Sequence, residues 1–425
     1  MTAPSRVVVA GQGYVGLPLA IRAAWAGHHV VGFDVNERRV KQLSAGEPYV
    51  PDVSAADLRE LLASGAYRPT ADPEECAGFD LAVIAVPTPL CDRMPDLSHI
   101  AGSARMLGGC LRPGAVVVLE STTYPGTTEE LVGAILEEES GLRAGEDFHL
   151  GYSPERIDPG NTQWRLENTP KVVSGVNRTS LARVQAFYET IVDTVVPVSD
   201  CRVAELTKLL ENTFRHVNIA LVNELAMFAH ELGVDIWEAI DAATTKPYGY
   251  LRFVPGPGVG GHCLPVDPTY LSWWVERTAG TTFRFVELAN DINARMPEYV
   301  VRRLTEALAR RAKAVQGARV LLLGLAYKAN TNDARETPSA RIAELLTAMG
   351  ADVYAADPHV DPMLTQDDAF DSVRIVSATA EELAAADAVV LLTDHDAFDY
   401  HSLAARCSYV LDCRRRLSGS NVDVL

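Results

Sequence analysis

The fold of the first part of the chain is decided by one stretch, Arg6-Val7-Val8-Val9-Ala10-Gly11-Gln12-Gly13-Tyr14-Val15-Gly16. Its apolar half, Arg6–Ala10, predicts a buried parallel strand, and the apolar spacing of Leu17–Trp25 predicts a helix directly after the glycines. A strand, a glycine-rich turn and a helix in this order are typical of a site that binds the phosphates of a dinucleotide.

The three glycines of the turn have separate physical roles. Gly11 permits a tight turn, Gly13 lets a pyrophosphate approach the backbone, and Gly16 lets helix and strand pack closely. The start of the helix, beside Tyr14 and Val15, adds free N–H groups and partial positive charge. We therefore expect a bound dinucleotide; a turn of this shape without a ligand is the less favoured interpretation.

Asp34 indicates which dinucleotide is bound. It ends the second predicted strand, 21 residues after Gly13. A carboxylate at this place accepts hydrogen bonds from the adenosine ribose and repels a 2′-phosphate. Arg39, five residues later, opposes this preference only weakly, so NAD is expected rather than NADP.

Strands and helices alternate at both ends of the chain, and a helical section separates the two alternating parts. The other apolar runs that predict buried strands are His29–Phe33, Leu81–Val86, Val116–Leu119, Phe148–Gly151, Arg319–Leu323, Asp352–Ala355, Val373–Val376, Ala388–Leu392 and Tyr409–Leu411. Ala204–Leu232 and Phe283–Ala309 have helical spacing, with the loop Pro255–Pro268 between them. The expected fold class is α/β, with two Rossmann-like doubly wound parallel-sheet domains joined by a helical domain with a long central helix.

The length of 425 residues fits two or three domains, which we expect at residues 1–200, 201–312 and 313–425. The two α/β parts share a rhythm: a glycine precedes a strand-ending aspartate by seven residues in each. These pairs are Gly27 with Asp34, and Gly350 with Asp357. Either one design is used twice, or any two folds of this kind share the rhythm.

Composition and charge exclude several functional classes. A formal net charge of −18 argues against binding to nucleic acids or to anionic membranes, and phosphorylated ligands would need individually placed cations. Seven cysteines without a Cys-x-x-Cys pair indicate neither a disulfide framework nor a zinc site, so no metal is expected. Without a signal-like or membrane-length apolar segment, we expect a cytoplasmic protein.

A second glycine-rich segment, Pro255-Gly256-Pro257-Gly258-Val259-Gly260-Gly261-His262-Cys263-Leu264-Pro265-Val266-Asp267-Pro268, carries a thiol. Cysteine is usually a buried structural residue. Here the glycines up to Gly260 and Gly261 leave backbone that a substrate can approach, and a carboxylate, Asp267, follows four positions after Cys263. This context favours a nucleophilic Cys263. We interpret His262 as loop structure, because adjacent residues rarely point the same way.

Further polar residues occupy places where ligands bind α/β sheets. Thr88 and Thr122 follow strands at the carboxyl edge, where a hydroxyl can hold a nicotinamide ribose, although ordinary turn chemistry explains them almost as well. Glu155 follows the next strand and is a candidate acid or base. Lys208 and Asn212 lie four residues apart on one helical face, which either lines a cleft or carries plain solvated charge.

Together these segments resemble the nucleotide-sugar 6-dehydrogenases, the UDP-glucose/UDP-N-acetylhexosamine dehydrogenase family. The matching segments run in family order across nearly the whole chain: Gly11–Gly16 with Asp34, Val86–Pro89, Glu120–Thr128, Ser153–Gly160, Lys208-x-x-x-Asn212, Gly260–Asp267, Gly324–Lys328, Asp333–Glu336 and Asp412–Arg414. Members of that family oxidise the C6 alcohol of a UDP-sugar to a carboxylate in two hydride transfers to NAD.

The resemblance implies roles for individual residues. Cys263 matches the family nucleophile, which holds the half-oxidised carbon as a thiohemiacetal and then as a thioester. Lys208 and Asn212 match residues that stabilise the oxyanion. Asp267 and Glu155 match positions assigned to general base catalysis and water activation, and Thr122 is expected to belong to the catalytic set as well.

Binding residues are implied in the same way: Lys328 and Arg414 for the uridine nucleotide, and Arg252 for a neighbouring subunit's site. The residues implied to contact the substrate are Glu155, Arg156, Lys208, Asn212, Tyr248, Tyr250, Arg252, Gly260, Lys328 and Arg414. Those implied to contact the cofactor are Gly11, Gly13, Tyr14, Val15, Gly16, Asp34, Arg39, Thr88, Thr122 and Arg335. The stretch Lys246–Pro255 resembles the loop that family members fold over the hexose.

The sugar is less well defined. Glucose-using relatives commonly carry Lys where this chain has Val266, and a residue other than His at position 262. The version in this chain is more similar to the branch that acts on 2-acetamido sugars such as UDP-N-acetylglucosamine. We expect a UDP-N-acetylhexosamine as substrate, with UDP-glucose as the alternative.

Two other functions share part of this sequence pattern. A 3-hydroxyacid dehydrogenase needs neither Cys263 nor residues 317–425, and a non-catalytic NAD or UDP-sugar sensor would not need an intact set of catalytic residues. In relatives, the helix matching Phe283–Ala309 builds a dimer, so at least a homodimer is expected, although its apolar stripe is also typical of intrachain core.

Overall fold

The computed structural model describes residues 5–50, 52–91, 94–158, 161, 163–261, 263–360, 370 and 373–425, with only the backbone described for Cys263 and Pro265. The chain divides into two compact units, Met1–Glu211 and Asn212–Leu425. Helix α7 (Cys201–Leu232) contains the boundary.

The first unit is built on a parallel sheet with helices on both faces. Its strands are β1 (Arg6–Ala10), β2 (His29–Phe33), β3 (Tyr67–Thr70), β4 (Leu81–Ile84), β5 (Leu90–Cys91), β6 (Met94–Pro95), β7 (Val116–Leu119), β8 (His149–Tyr152), β9 (Lys171–Val173) and β10 (Val195–Pro197). Its α-helices besides α7 are α1 (Gly16–Trp25), α2 (Glu37–Ser44), α3 (Ala55–Ser64), α4 (Ser98–Gly108), α5 (Ala134–Ser140) and α6 (Arg178–Tyr188). A short 3-10 helix (Pro73–Cys76) precedes β4, and a π-helical turn (Thr128–Gly133) precedes α5. The main sheet has the order β3-β2-β1-β4-β7-β8, and β9 pairs with β10.

Both faces of this sheet are buried, which explains why its strands are continuously apolar. Val7 and Val9 of β1 pack in one apolar cluster with Leu17 of α1. Val8 and Ala10 point to the other face and pack in a second cluster. The strand order is that of a Rossmann fold, which confirms the expected class and brings the carboxyl ends of β1, β4, β7 and β8 to one edge.

The second unit repeats this strand order. Its strands are β11 (Arg319–Leu323), β12 (Asp352–Ala356), β13 (Arg374–Ile375), β14 (Ala388–Leu391), β15 (Val410–Asp412) and β16 (Val422–Val424), in the order β13-β12-β11-β14-β15-β16. Its helices besides α7 are α8 (Ile236–Thr244), α9 (Cys263–Ala279), α10 (Arg284–Ala294), α11 (Met296–Arg310), α12 (Pro338–Ala348), α13 (Ala380–Ala385) and α14 (Tyr400–Arg406).

The repeat extends to the first turn of each sheet. The N–H group of Gly11 donates to the carbonyl of Phe33 at 2.8 Å, and that of Gly324 donates to Ala356 at 3.0 Å. The carboxylate after β2, Asp34, accepts from the backbone of the glycine turn, and the one after β12, Asp357, does the same. The Gly-strand-Asp rhythm thus corresponds to one recurring hydrogen-bond pattern.

Two expectations for the middle section of the chain, one for a helix and one for a loop, are wrong in their bounds. Phe283–Ala309 is not one helix, because α10 ends at Ala294 and α11 begins at Met296 with a proline in its first turn. The segment Pro255–Pro268 is not all loop, since α9 begins at Cys263 and includes Asp267. Among the described residues, no helix has the length and apolar character needed to cross a bilayer.

Candidate active site

The glycine turn after β1 fits a dinucleotide. A Cβ at Gly11 would lie 2.5 Å from the Ala85 carbonyl oxygen, and one at Gly16 would lie 1.9 Å from the Gly11 carbonyl oxygen, so protein packing requires both glycines. A Cβ at Gly13 would meet no described atom within 4 Å. Gly13 therefore leaves the backbone approachable from outside, as a pyrophosphate requires.

Gln12 braces the turn, a role that the motif alone did not predict. Its side chain is fully buried, donates to the Val9 carbonyl and accepts from the Tyr67 hydroxyl at 2.8 Å. A Cβ at Gly32 would lie 2.6 Å from the Gln12 Oε1 atom, so the neighbouring strand needs glycine there. The shape of the phosphate turn is thus fixed by residues beneath it.

Asp34 lies where the ribose carboxylate was expected. It is 5% exposed; Oδ2 accepts from the Gln12 N–H at 3.0 Å, and Oδ1 accepts from the Asn36 N–H at 2.9 Å. Arg39 lies 3.5 Å from Oδ2. Each carboxylate oxygen has a second lone pair, so Asp34 can still accept hydrogen bonds from a ribose.

The hydroxyl residues at the carboxyl edge have different environments. Thr88 is buried, and Thr122 is half-buried. Between them, the Ser121 hydroxyl accepts from the Val86 N–H at 3.0 Å and donates to the Val86 carbonyl at 2.8 Å. Ser121 therefore ties the segments after β4 and β7 together and fixes the backbone on which both threonines lie.

Lys208 and Glu155 form a buried pair in the first unit. Lys208 is 6% exposed and Glu155 is 8% exposed. The Lys208 ammonium donates to the Glu155 carbonyl at 2.6 Å and lies 3.5 Å from the carboxylate Oε2 atom. The sequence alternative of plain solvated charge is therefore wrong for Lys208.

Burial controls the protonation of Glu155. Desolvation raises the pKa of this carboxyl above its usual value, while Lys208 and Lys171 act in the opposite direction. Its Oε1 atom is buried and has no hydrogen-bond partner among the described residues. A carboxyl with a raised pKa and an unused acceptor is suited to exchanging a proton with a bound molecule or with water.

A neighbouring buried cluster was missed at the sequence level. Lys171 and Glu120 are 3% and 2% exposed, and the Lys171 ammonium lies 2.9 Å from Glu120 Oε1. The Tyr188 hydroxyl donates to the same oxygen. The one available signal was a lysine directly before the apolar pair Val172 and Val173, where a charge needs a buried partner.

In the second unit, Asn212 and Asp267 are brought together. The Asn212 amide donates to Asp267 Oδ2 at 2.5 Å, and Asp267 is 3% exposed. Cys263 is the first residue of α9, and Asp267 lies one turn further along. The first turn of a helix has unpaired N–H groups that favour negative charge. His262 lies outside the described residues.

The glycine-rich segment before Cys263 packs on the second sheet's loops. A Cβ at Gly261 would come within 2.8 Å of the Tyr327 ring, and one at Gly260 within 2.7 Å of the Glu336 carbonyl oxygen. The Gly261 N–H also donates to the Arg335 carbonyl at 3.0 Å. Protein atoms therefore occupy the side of these glycines where a side chain would point, in contrast to the substrate approach that the sequence predicts.

The predicted uridine-binding residues lie close to this segment. A Cβ at Gly256 would lie 3.0 Å from a guanidinium nitrogen of Arg414, whose Nε donates to the Leu392 carbonyl at 2.6 Å. Lys328 directly follows Tyr327 and is half-buried. The segment 255–261 thus links the start of α9 to the residues expected to hold the nucleotide.

The remaining predicted residues of this unit are exposed or partly exposed. Arg335 pairs with Asp333 at 2.6 Å. Arg252 pairs with Asp241 at 3.0 Å, and Arg415 binds the same carboxylate at 2.7 Å. Within the expected hexose loop, Tyr248 is 73% exposed and Tyr250 is half-buried.

Arg156 is the predicted substrate residue that remains in the first unit. It donates to the Pro170 carbonyl at 2.8 Å and pairs with Glu211.

Residues 5–192, 202–295 and 321–419 match, in this order, the NAD binding domain, the central domain and the UDP binding domain of the UDP-glucose/GDP-mannose dehydrogenase family. The chain belongs to this family. It is an NAD-dependent oxidoreductase whose substrate is a UDP-sugar, and the two rival functions find no support in these matches.

Individual relatives are similar over most of their length. A UDP-N-acetyl-D-mannosamine dehydrogenase of Pyrococcus horikoshii is 36% identical over 395 residues, which are 92% of this chain and 90% of the relative. A UDP-N-acetyl-D-glucosamine 6-dehydrogenase of Pseudomonas aeruginosa is 37% identical over 395 residues, covering 92% and 91%.

Solved structures agree with the fold. The structure of UDP-D-ManNAc dehydrogenase from Pyrococcus horikoshii matches with a TM-score of 0.89 and 33% identity, covering 99% of this chain and 98% of that one. A UDP-glucose dehydrogenase from Pyrobaculum islandicum matches with a TM-score of 0.87 and 30% identity, covering 99% and 96%. Enzymes named for different sugars therefore share this fold.

Proposed function

We propose that the chain oxidises the C6 alcohol of a UDP-N-acetylhexosamine to a carboxylate, most favourably that of UDP-N-acetylglucosamine. The observation that carries this proposal is the similarity, over 92% of the chain, to enzymes named for 2-acetamido sugars. Val266 before Asp267 also follows the pattern of that branch. UDP-glucose remains the second candidate, because a UDP-glucose dehydrogenase has the same fold.

The proposed chemistry needs a covalent bond between the protein and the aldehyde intermediate. NAD would supply the hydride acceptor for two oxidation steps at C6, one NAD molecule for each step. Between the steps, the Cys263 thiolate adds to the aldehyde carbon, so that a C–S bond forms and the carbonyl electron pair moves onto oxygen. Lys208 and Asn212 are proposed to stabilise that oxygen by charge and by an amide N–H.

Hydrolysis completes the reaction. After the second hydride has left, the carbon is a thioester, and water attacks it while a carboxylate takes the proton. Glu155 and Asp267 are the candidates for this base and for deprotonating the alcohol at the start. The C–S bond then breaks, Cys263 returns as a thiolate, and the acid product gives its remaining proton to the solvent and leaves as a carboxylate.

Binding of the substrate is assigned to individually placed cations. We propose Lys328 and Arg414 for the uridine diphosphate, because a chain of net charge −18 needs local positive charge to hold a phosphorylated ligand. Tyr248, Tyr250 and Arg156 are proposed to contact the sugar side, and Arg252 to serve a neighbouring subunit.

The test is NADH formation with a panel of UDP-glucose, UDP-N-acetylglucosamine, UDP-N-acetylgalactosamine and UDP-N-acetylmannosamine, followed by absorbance. We expect the highest kcat/KM with a 2-acetamido sugar. A higher kcat/KM with UDP-glucose would overturn the choice of sugar, and NAD binding without NADH formation from any of the four would overturn the function.

We also propose that two copies of the chain associate through an apolar stripe on α7. Its exposed members within the second unit lie on one helical face: Phe214 (47%), Leu221 (52%), Leu225 (44%), Phe228 (54%) and Leu232 (77%). Beside α7, α10 adds Phe285 and Leu288, which are 65% and 56% exposed.

A second copy is the occupant that best explains this surface. Seven large apolar side chains exposed side by side exceed the singly scattered ones that are normal for a monomer. The two helices are held together by Ala220 and Ile292, and by hydrogen bonds from His216 to Asn290 and from Asn223 to Asn293. A rigid apolar face of this kind suits a two-fold interface, in which each copy presents the same surface. Light scattering should give the mass of a dimer.

A further inference from the structure

The segment that carries Glu155 is held almost residue by residue by strand β9 and by the serine that follows it. The Ser174 side chain donates to the Tyr152 carbonyl at 2.8 Å, and the Ser153 hydroxyl donates to the Val172 carbonyl at 2.7 Å. The Lys171 ammonium then donates to the Pro154 carbonyl at 3.1 Å. Lys171 is therefore the last link of this series, directly before Glu155.

Lys171 is itself held rigidly. Its ammonium lies 2.9 Å from Glu120 Oε1 and 5.2 Å from the centre of the Tyr188 ring. Burial and the neighbouring Glu120 keep the pKa of Tyr188 well above its usual range, so Tyr188 remains a hydroxyl donor to that carboxylate. A lysine that is 3% exposed and bound to a carboxylate and a carbonyl cannot move without breaking buried contacts.

We propose that Lys171 is a positioning residue for Glu155: paired with Glu120, its ammonium fixes the Pro154 carbonyl and adds a second positive charge beside the Glu155 carboxyl. This inference rests on the proposed role of Glu155 in UDP-sugar oxidation. Lys171 touches neither substrate nor cofactor in this scheme and acts only through its neighbour.

The charges around Glu155 define the sign of the expected effect. The groups that face it are Lys208 from α7, Lys171 from β9 and Glu120 from the end of β7. Desolvation raises the pKa of Glu155, both lysines lower it, and Glu120 raises it. Loss of the Lys171 charge therefore raises this pKa further, so the ionised form of Glu155 is reached only at higher pH.

The test compares kcat against pH for Lys171→Met, Lys171→Arg and the double variant Lys171→Met/Glu120→Gln. We expect Lys171→Met to lower kcat about 10- to 100-fold, because Glu155 loses its position. The acidic limb of the kcat–pH profile of Lys171→Met should move to higher pH, while the KM for NAD changes less than about twofold. Lys171→Arg keeps the positive charge, so the acidic limb of its kcat–pH profile should lie at the wild-type pH.

Two comparisons separate positioning from mere stability. The double variant leaves no unpaired buried charge, so it should fold while kcat stays low. Arg22→Met is the matched control, since Arg22 also donates to a carbonyl of the first unit, that of Ile191 at 2.9 Å, and its loss should leave the acidic limb unmoved. A wild-type kcat and acidic limb in Lys171→Met, or a wild-type kcat in the double variant, would overturn the inference. A wild-type chain that forms no NADH from any UDP-sugar would instead overturn the proposed function.

Discussion

At the scale of single residues, Cys263 carries the proposed chemistry, and its place in the chain differs from the expected loop. It is the first residue of α9, a helix of 17 residues, so its backbone lies where negative charge is favoured. A thiolate is the nucleophile in such reactions, and serine is both a poorer nucleophile and a poorer leaving group.

Cys263→Ser should therefore lower kcat about 1000-fold or more. An ester that hydrolyses slowly should accumulate, and intact-mass spectrometry after mixing with NAD and the UDP-sugar should detect the adduct. The control is Cys91→Ser, an exposed cysteine whose replacement should leave kcat unchanged. Wild-type turnover by Cys263→Ser would remove the covalent mechanism.

Asp34 should decide the choice of cofactor. Replacing it by Asn removes the charge that repels a 2′-phosphate and leaves Arg39, now 3.5 Å from the carboxylate, available for that phosphate. We expect kcat/KM for NAD to fall about 10- to 100-fold and the NADP/NAD ratio to rise.

The matched control for Asp34→Asn is Asp357→Asn, because Asp357 occupies the corresponding place after β12. It should leave the NADP/NAD ratio unchanged. Steady-state kinetics with both cofactors measure the ratio, and an unaltered ratio in Asp34→Asn would contradict the assignment.

Sequence reasoning at this scale succeeded where a motif fixes local geometry. The glycine turn and Asp34 lie where they were expected, since their spacing follows from backbone constraints alone. Gln12 and Lys171 were missed, because their partners Tyr67 and Glu120 are 55 and 51 residues away in the sequence. No local pattern encodes such pairings.

At the scale of elements, α7 combines a buried charged side with an exposed apolar stripe. Leu225 lies within the stripe and is 44% exposed. Leu225→Glu places a charge in the proposed interface twice, because a two-fold interface uses each residue on both copies. We expect the dimer dissociation constant to rise at least about 100-fold, so that light scattering gives a monomer mass.

The control for this change is Arg215→Glu, an exposed position on α7 about 100° away from the stripe. It introduces the same side chain and should leave the dimer intact. A dimer that survives Leu225→Glu, or a wild-type chain that is a monomer, would remove the proposed interface.

Glu205, near the start of α7, joins this helix to the segment after β7. It is fully buried, accepts from the N–H groups of Gly126 and Thr128, and also accepts from the Thr128 hydroxyl. Burial raises the pKa of Glu205 to about 7, against these hydrogen bonds, which lower it. The usual value for an unfolded chain is 4.5.

The folded protein therefore retains a proton on Glu205 that the unfolded chain releases, and stability falls as pH rises from about 4.5 to 7. The loss amounts to about 3 kcal/mol. In Glu205→Gln, the thermal unfolding midpoint should fall less between pH 5 and pH 8 than in the wild type. Glu138→Gln, at an exposed position on α5, is the control, and parallel pH curves for Glu205→Gln and wild type would refute the linkage.

The strands were predicted more accurately than the helices of the middle section. β1, β2, β7 and β11 have the expected bounds, because a strand buried on both faces is a continuous apolar run. The break at Arg295 between α10 and α11 was missed, since the apolar stripe continues through it from Ile292 to Met296. A hydrophobic period does not reveal a kink when both halves pack in the core.

At the scale of the whole molecule, one chain contains both an NAD binding domain and a UDP binding domain. Oxidation of an alcohol to an acid releases four electrons, and each NAD accepts two. With limiting UDP-sugar and excess NAD, absorbance should therefore give two NADH per sugar. In the proposed mechanism the half-oxidised carbon stays bonded to the Cys263 sulfur, so an aldehyde trap such as semicarbazide should not lower that yield. One NADH per sugar, or a trapped aldehyde, would mean that the carbon leaves the protein between the two steps.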